Sequence, residues 1–344
     1  MCKAELSLRF FFINSYNVSM EWVILGIVIA IFLVVSTYFW TVMITFRILF
    51  RRPITPKKLV FPKPFFGGVF DKHIKEIEEN HQKNAKLPCE EIYISSSAGR
   101  LKGRYFENAT SNKVIVFIHG YYSSGMRDVG YFGSLYSDLG VSLLVIDQRA
   151  TGESEGVYTS LGALERFDVR EWIFYLNSRF KGEKDIYLHG ISMGAATSLL
   201  VTALAALPPS FKGVIADCGF SRTNGVIFFA GKRMLKIKPR LTFWGLNVIA
   251  RLAGGFNLNN VNVSRELHKN TKIPILFFHG TADLFVPYNM SVKNFKATSS
   301  KKRLVAFPGA GHCESYLSNK ELYTEEMRKF IYGKRKVHKA PANN

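Results

Sequence analysis

Ser192 sits in Gly190-Ile191-Ser192-Met193-Gly194, within Asp185–Leu200, which reads DIYLHGISMGAATSLL. A strand pattern precedes the serine and a small-residue helix pattern follows it. A sharp strand-to-helix turn strains the backbone at the serine and holds its hydroxyl clear of the sheet edge. Glycines on either side leave room because they carry no Cβ. The helix N-terminus beyond favours developing negative charge. This arrangement suits attack on a carbonyl; the bland reading is an ordinary serine in a glycine-rich turn.

A serine hydroxyl needs a base. Of eight histidines, His119, His189 and His279 each precede a glycine at the end of a strand pattern, where structural hydrogen bonding is the expected role. His73 and His81 fall in a polar helix pattern, and His268 and His338 in polar surroundings. His312 ends Pro308-Gly309-Ala310-Gly311-His312, a glycine-rich loop after the last strand pattern, which puts it at the sheet edge beside Ser192. An acid must orient that imidazole. Asp283, 29 residues earlier, follows a strand in His279-Gly280-Thr281-Ala282-Asp283; Asp217, at the end of another strand, is the rival. Two backbone N–H groups are needed to hold a tetrahedral oxyanion. Met193 N–H is one candidate and Tyr121 N–H, in His119-Gly120-Tyr121-Tyr122, the other; alternatively both tyrosines only line the pocket.

Positioning these groups requires alternating strands and helices. Glu91–Ser95 and Leu101–Phe106 suggest an opening hairpin. Val114–Ile118, Val141–Ile146, Ile186–His189, Val214–Ala216, Ile273–Phe278 and Leu304–Phe307 follow as short apolar runs of the buried-strand kind. Helices are predicted near Asp128–Asp138, Leu161–Arg179, Met193–Leu204, Tyr288–Phe295 and Lys320–Ile331. The alternation predicts an α/β fold, a mostly parallel sheet flanked by helices. Residues 221–268 are too long for a plain connection and hold Phe228, Phe229, Leu235, Phe243, Trp244, Leu246 and Ile249; they predict a helical lid.

Ahead of this domain, residues 22–46 carry no charge, which meets the roughly 20 apolar residues of a membrane-spanning helix. The segment runs into Arg47, Arg51 and Arg52 with no small-residue cleavage site, favouring an uncleaved anchor over a signal peptide. The organisation is then an N-terminal tail (1–21, with Met20 an alternative start), a transmembrane helix (22–46), a basic proline-rich linker (47–69), one α/β domain (70–333, with the lid at about 221–268) and a basic tail (334–344). Residues beyond the linker hold every candidate site residue, so deleting 1–52 is expected to leave a soluble, active domain. Lys and Arg tend to stay cytoplasmic. Arg47, Arg51, Arg52, Lys57, Lys58 and Lys63 follow the helix, against Lys3 and Arg9 before it; the count places the domain on the cytoplasmic side of a single-pass cell-membrane protein.

The 344 residues carry a formal charge of +20, which invites an anionic partner. With no zinc-finger spacing and no base-reading helix, a lipid surface is expected rather than nucleic acid. In particular Lys232, Arg233, Lys236, Lys238 and Arg240 lie among apolar lid residues Phe228, Phe229, Met234, Leu235 and Ile237. Cys2, Cys89, Cys218 and Cys313 form no C-x-x-C pair; free thiols are expected, and no metal or organic cofactor.

Together FIHGY (117–121), DQRATGESEG (147–156), GISMG (190–194), ADCGF (216–220), ILFFHGTADLFVP (275–287) and PGAGH (308–312) resemble the α/β-hydrolase superfamily. Within it, the likeness is to serine aminopeptidase-like, prolyl-oligopeptidase-related hydrolases, especially bacterial membrane-anchored ones. The resemblance covers residues 88–332. It implies the α/β-hydrolase fold, the chain order Ser, acid, His, a catalytic Ser192–Asp283–His312 triad, oxyanion donors at Tyr121 and Met193, and a structural role for the Asp147–Ser154 run. The reading that follows is a membrane-anchored serine hydrolase of carboxylesterase or lipase type, acting on a small acyl ester or lipid-like substrate. The alternatives are a serine aminopeptidase or peptidase and a non-catalytic binding protein of the same fold.

Overall fold

The computed structural model describes residues 19–52, 68–228 and 239–333. Phe229, Lys232, Arg233, Met234, Leu235, Lys236, Ile237 and Lys238 of the predicted lid, most of the predicted linker, residues 1–18 of the N-terminal tail and the C-terminal tail lie outside them. The centre is an eight-stranded sheet of order β1-β2-β4-β3-β5-β6-β7-β8. Its strands are β1 Glu90–Ser96, β2 Gly99–Phe106, β3 Lys113–Ile118, β4 Ser142–Ile146, β5 Asp185–Ile191, β6 Phe211–Asp217, β7 Ile275–Gly280 and β8 Lys302–Phe307. β1 and β2 form the antiparallel hairpin, β2 joins β4 antiparallel, and all remaining pairings are parallel. Every residue of β4 and β7 is buried, as expected for strands covered on both faces.

The main helices are α1 Met20–Phe50, α2 Gly68–Ala85, α3 Glu165–Arg179, α4 Met193–Val201, α5 Pro239–Ala253, α6 Asn289–Ala297 and α7 Lys320–Tyr332. Two sequence expectations change here. The helix predicted over 128–138 is three short pieces, Gly125–Val129, the 3-10 turn Gly130–Phe132 and Leu135–Leu139; Gly133 breaks the run with φ +48°. The helix predicted from Leu161 starts at Glu165, because Leu161 and Gly162 both have positive φ and form a turn. Within the stretch predicted as a lid, α5 is followed by a 3-10 turn, Leu258–Asn260, and a short helix, Val263–Leu267.

The largest difference concerns α1. It is 31 residues long, about 46 Å at 1.5 Å per residue, and its helical conformation continues through Arg47 to Phe50, past the expected end at Phe46. Trp22–Val35 is exposed, and α1 is long and apolar enough to cross a membrane. A hydrocarbon core needs about 20 residues, so a surplus of roughly ten remains. That surplus is docked on the domain. Val42, Phe46 and Phe50, spaced by four on one helix face, are buried. Phe46 meets Tyr158 at 5.3 Å between ring centroids, and Phe50 meets Phe256 at 5.7 Å. Arg52 N donates to Val157 O at 2.8 Å and Thr159 N to Phe50 O at 2.8 Å. Three such side chains contribute roughly 5–9 kcal/mol of burial, comparable with the whole stability of a domain. Residues 1–52 therefore include part of the core, and their deletion is expected to destabilise the domain.

Candidate active site

Ser192 lies between β5 and α4 with φ +52° and ψ −114°. A side chain rarely adopts this conformation without support. Its N–H donates to Asp217 O at 2.8 Å, and its carbonyl accepts from Ala196 N at 3.1 Å. The flanking glycines are dictated by close approach: a Cβ on Gly190 would strike the Gly194 carbonyl, and one on Gly194 would strike the Ile118 and His119 carbonyls.

The loops after β5, β7 and β8 bring Ser192, Asp283 and His312 together. Ser192 Oγ is 2.9 Å from His312 Nε2, and His312 Nδ1 is 2.7 Å from Asp283 Oδ2. With Nδ1–H donating to the carboxylate, Nε2 is left to accept the serine proton. Asp283 Oδ1 accepts from Phe285 N at 2.8 Å and Val286 N at 2.7 Å, so the acid is fixed by its own turn. The Phe285 ring meets the imidazole edge-on at 5.0 Å. All three groups are buried. Burial opposes ionisation of Asp283, yet the His312 and His279 rings hold its carboxyl well below the usual carboxylate range. Burial likewise disfavours charged His312, but the Asp283 carboxylate and the Cys218 sulfur raise it well above the ordinary imidazole value.

Asp217 is not paired with His312. Its Oδ1 accepts from Ser315 Oγ at 2.8 Å and its Oδ2 from Tyr323 Oη at 3.2 Å, and burial pushes its pKa up to about 7. Nor are the strand-end histidines alike. His189 is buried between the Tyr136 and Tyr323 hydroxyls at 2.8 and 2.9 Å, and burial pushes it down to about 3. His119 accepts from Gln148 N at 3.1 Å and donates from Nδ1 to Gly120 O at 2.7 Å. His279 is different: its Nε2 lies 3.2 Å from Asp283 Oδ2 and 2.8 Å from Val286 O. It is a second imidazole on the same acid, which strand-end placement did not reveal. The hint was its position four residues before Asp283.

Met193 opens α4, so its N–H is one of the first-turn donors without an intrahelical acceptor. The loop after β3 comes against it from the other side: a Cβ on Gly120 would lie 3.5 Å from Ser192 Cβ. Gly120 N donates to Asp128 Oδ2 at 2.8 Å, and the Ser123 hydroxyl bonds the other oxygen of that buried carboxylate. Asp128 is a loop-holding residue that the sequence reading missed, since an acid in a short helix reads equally well as a surface turn. Neither Tyr121 N–H nor Met193 N–H meets a backbone acceptor among the described residues. The Tyr121 side chain turns away, toward α1. In the Asp147–Ser154 run, Asp147 accepts from Gly125 N and Glu153 N at 2.8 and 3.0 Å, and Arg149 pairs with buried Asp168 at 2.6 and 2.7 Å.

Among the described residues Cys89, Cys218 and Cys313 are free thiols. Cys218 Sγ and Cys313 Sγ stand 3.3 Å apart and, with His312, place their donor atoms within 4.8 Å of one another. Both nitrogens of His312 are already engaged by Ser192 and Asp283, and the two sulfurs bond each other. A cavity of about 660 Å³ lies between α2 and the β2 side of the sheet, lined by Glu76, Asn80, Lys83, Tyr136 and Tyr316; no triad residue lines it.

A turn-borne serine after β5, an acid after β7 and a histidine after β8 are the arrangement of one fold family, and residues 115–323 match the profile of the Alpha/beta hydrolase family. The chain belongs to that family. It is similar to the uncharacterized protein YqkD of Bacillus subtilis, 28% identical over 67% of this chain and 75% of that protein. It is also similar to the uncharacterized protein YfhR of Salmonella typhimurium, 27% identical over 64% of this chain and 72% of that one. Among solved structures, the esterase Pf2001 of Pyrococcus furiosus matches with TM-score 0.55 and 20% identity, over 72% of this chain and 94% of that chain. Est1E of Butyrivibrio proteoclasticus, with ferulic acid bound, matches with TM-score 0.53 and 22% identity, over 70% and 97%. At these identities the likeness concerns the fold.

Proposed function

We propose that this protein is a membrane-anchored serine hydrolase that cleaves carboxylic esters of lipophilic acyl substrates. The observation that carries the reading is the continuous relay Ser192 Oγ–His312–Asp283 at 2.9 and 2.7 Å. In the first step Ser192 Oγ attacks the acyl carbonyl carbon and its proton passes to His312 Nε2. Asp283 orients the ring and stabilises the imidazolium. The carbonyl oxygen becomes an oxyanion, taken by the Met193 and Tyr121 N–H groups; such a donor is worth about 10²–10³ in turnover. Collapse of the adduct breaks the ester C–O bond, and the leaving alkoxide takes the proton from His312. Water then attacks the acyl-enzyme, with His312 again accepting the proton; collapse of this second adduct breaks the Ser192 Oγ–acyl bond, His312 returns the proton to Oγ, and the acid departs.

The lipophilic substrate and the anchor rest on two further features. α1 offers an uncharged, exposed stretch of spanning length, and α5 of the lid exposes Leu241, Trp244 and Leu252. Exposed apolar residues rimmed by charge mark a lipid- or ligand-facing surface. Arg47 and Arg51 at the domain end of α1 are exposed, consistent with a cytoplasmic domain. The test is a panel of p-nitrophenyl esters of increasing chain length beside aminoacyl amides, assayed on the full-length protein. Ester turnover exceeding amide turnover supports the reading; aminoacyl amides cleaved faster than any ester would assign a peptidase instead.

A further inference from the structure

We propose that the domain-side end of α1 positions the oxyanion loop, through Tyr121 and Tyr122. This rests on the serine-hydrolase reading above and on Tyr121 N–H as an oxyanion donor. A helix ends with four carbonyls that have no intrahelical partner. In α1 these belong to Arg47, Ile48, Leu49 and Phe50, and each is taken. Arg51 N donates to Arg47 O at 3.2 Å and Thr159 N to Phe50 O at 2.8 Å. The two between them are taken by the oxyanion loop: Tyr122 Oη donates to Ile48 O at 2.5 Å and Tyr121 Oη to Leu49 O at 2.6 Å. The negative end of the helix dipole strengthens such bonds. The anchor helix and the loop that faces Ser192 thus cap one another.

The loop has need of such a hold. Tyr122 has φ +60°, a conformation that costs a side-chain-bearing residue on the order of 1–3 kcal/mol unless its surroundings enforce it. Its ring stands edge-on to Tyr121 at 4.7 Å. The loop is pinned on either side of the tyrosines by Asp128, which takes Gly120 N and the Ser123 hydroxyl; between those points the Tyr121 and Tyr122 side chains are held where their hydroxyls reach α1. The same helix meets the lid. Tyr38 Oη donates to Leu241 O at 2.8 Å, and a Cβ on Gly245 would lie 2.6 Å from Tyr38 Oη and 2.9 Å from Val42. A shift of α1 would therefore reach the oxyanion donor and the lid together. Tyr121 and Tyr122 side chains, with Phe46 and Phe50 that seat the helix, are positioning residues: they touch no reacting atom and act through the Tyr121 N–H.

The experiment uses the full-length chain in mixed micelles, with p-nitrophenyl butyrate as substrate and an alkyl trifluoromethyl ketone as probe. The ketone forms a tetrahedral adduct on the serine, so its Ki reads oxyanion stabilisation, which a purely structural change does not move in step with kcat. Tyr121→Phe/Tyr122→Phe keeps both rings and every backbone N–H. We expect kcat to fall about tenfold to a hundredfold, short of the 10²–10³ for outright loss of a donor. KM should stay within about threefold, and the ketone Ki should rise by a factor matching the fall in kcat/KM. Phe50→Leu, which loosens the seat of the helix without touching the loop, should move the same two quantities in the same direction and carries the test if the double variant does not fold. Folded variants with wild-type kcat and wild-type Ki would overturn the proposal. Wild-type protein that neither turns over the ester nor binds the ketone would instead overturn the hydrolase reading beneath it, and this inference with it.

Discussion

Replacing Asp283 by Asn separates charge from shape at the acid. Oδ1 accepts from the Phe285 and Val286 amides, and the asparagine carbonyl oxygen can keep both bonds, so the turn should survive. Oδ2, which faces His312 Nδ1 at 2.7 Å and His279 Nε2 at 3.2 Å, becomes an NH2 group with no lone pair to offer. His312 must then carry its proton on Nε2, and Ser192 meets a donor where it needs an acceptor. In serine proteases the equivalent change costs about 10⁴ in kcat, about 5.5 kcal/mol at 1.36 kcal/mol per decade. The carboxylate that raises His312 is also lost, so the midpoint of any residual acid limb should move down toward the ordinary imidazole value. Asp217→Asn is the control, because its oxygens serve the Ser315 and Tyr323 hydroxyls; we expect a loss of no more than about tenfold. The assay is kcat for p-nitrophenyl butyrate at pH 8 on purified full-length variants, with thermal melts to establish folding. A folded Asp283→Asn protein keeping more than a tenth of wild-type kcat would refute the assignment, as would Asp217→Asn losing more than Asp283→Asn.

In the wild-type chain His312 is raised, so the neutral base is lost as pH falls through a value above about 6.5. The acid limb of kcat/KM should have its midpoint there, and a flat profile from pH 5 to 8 with chemistry rate-limiting would contradict this. His189, pushed down to about 3 while buried, stays neutral in the fold, whereas the unfolded chain protonates near 6.5. Stability should therefore decline from pH 6.5 toward 3, by roughly 4–5 kcal/mol from this group. Urea titrations of His189→Gln should show a shallower decline; an unchanged slope would remove His189 from the account. Gly194→Ala should abolish turnover or folding, since its methyl would meet the Ile118 and His119 carbonyls; a folded variant with wild-type kcat would contradict the drawn turn. Protease added to intact cells should spare the catalytic domain, and shaving without lysis would reverse the orientation drawn from the flanking arginines.

The sheet and the meeting of Ser192, Asp283 and His312 were legible in the sequence because each group has its own short glycine-bearing motif after a buried strand. Topology then does the rest: parallel strands deliver their C-terminal loops to one edge. What was not legible depends on contacts between distant segments. Nothing in the apolar run of α1 distinguishes exposed Phe39 from Phe46, which is fully covered by Tyr158 and Phe256. The capping of Ile48 and Leu49 by tyrosines more than 70 residues away left no periodic trace. Asp128 and His279 looked like helix-start and strand-end residues because their function lies in holding Gly120 and Asp283, not in a motif of their own. Cys218 and Cys313 meet only because β6 and β8 end at the same edge.

The central claim is that Ser192 is an activated nucleophile. Its most direct test is a fluorophosphonate probe, which phosphonylates only a serine whose proton has a base to go to. We predict stoichiometric labelling of the full-length protein, a mass shift confined to the peptide carrying Ser192, and no labelling of Ser192→Ala. Labelling that persists in folded Ser192→Ala, or wild-type protein left unlabelled at pH 8, would contradict the account.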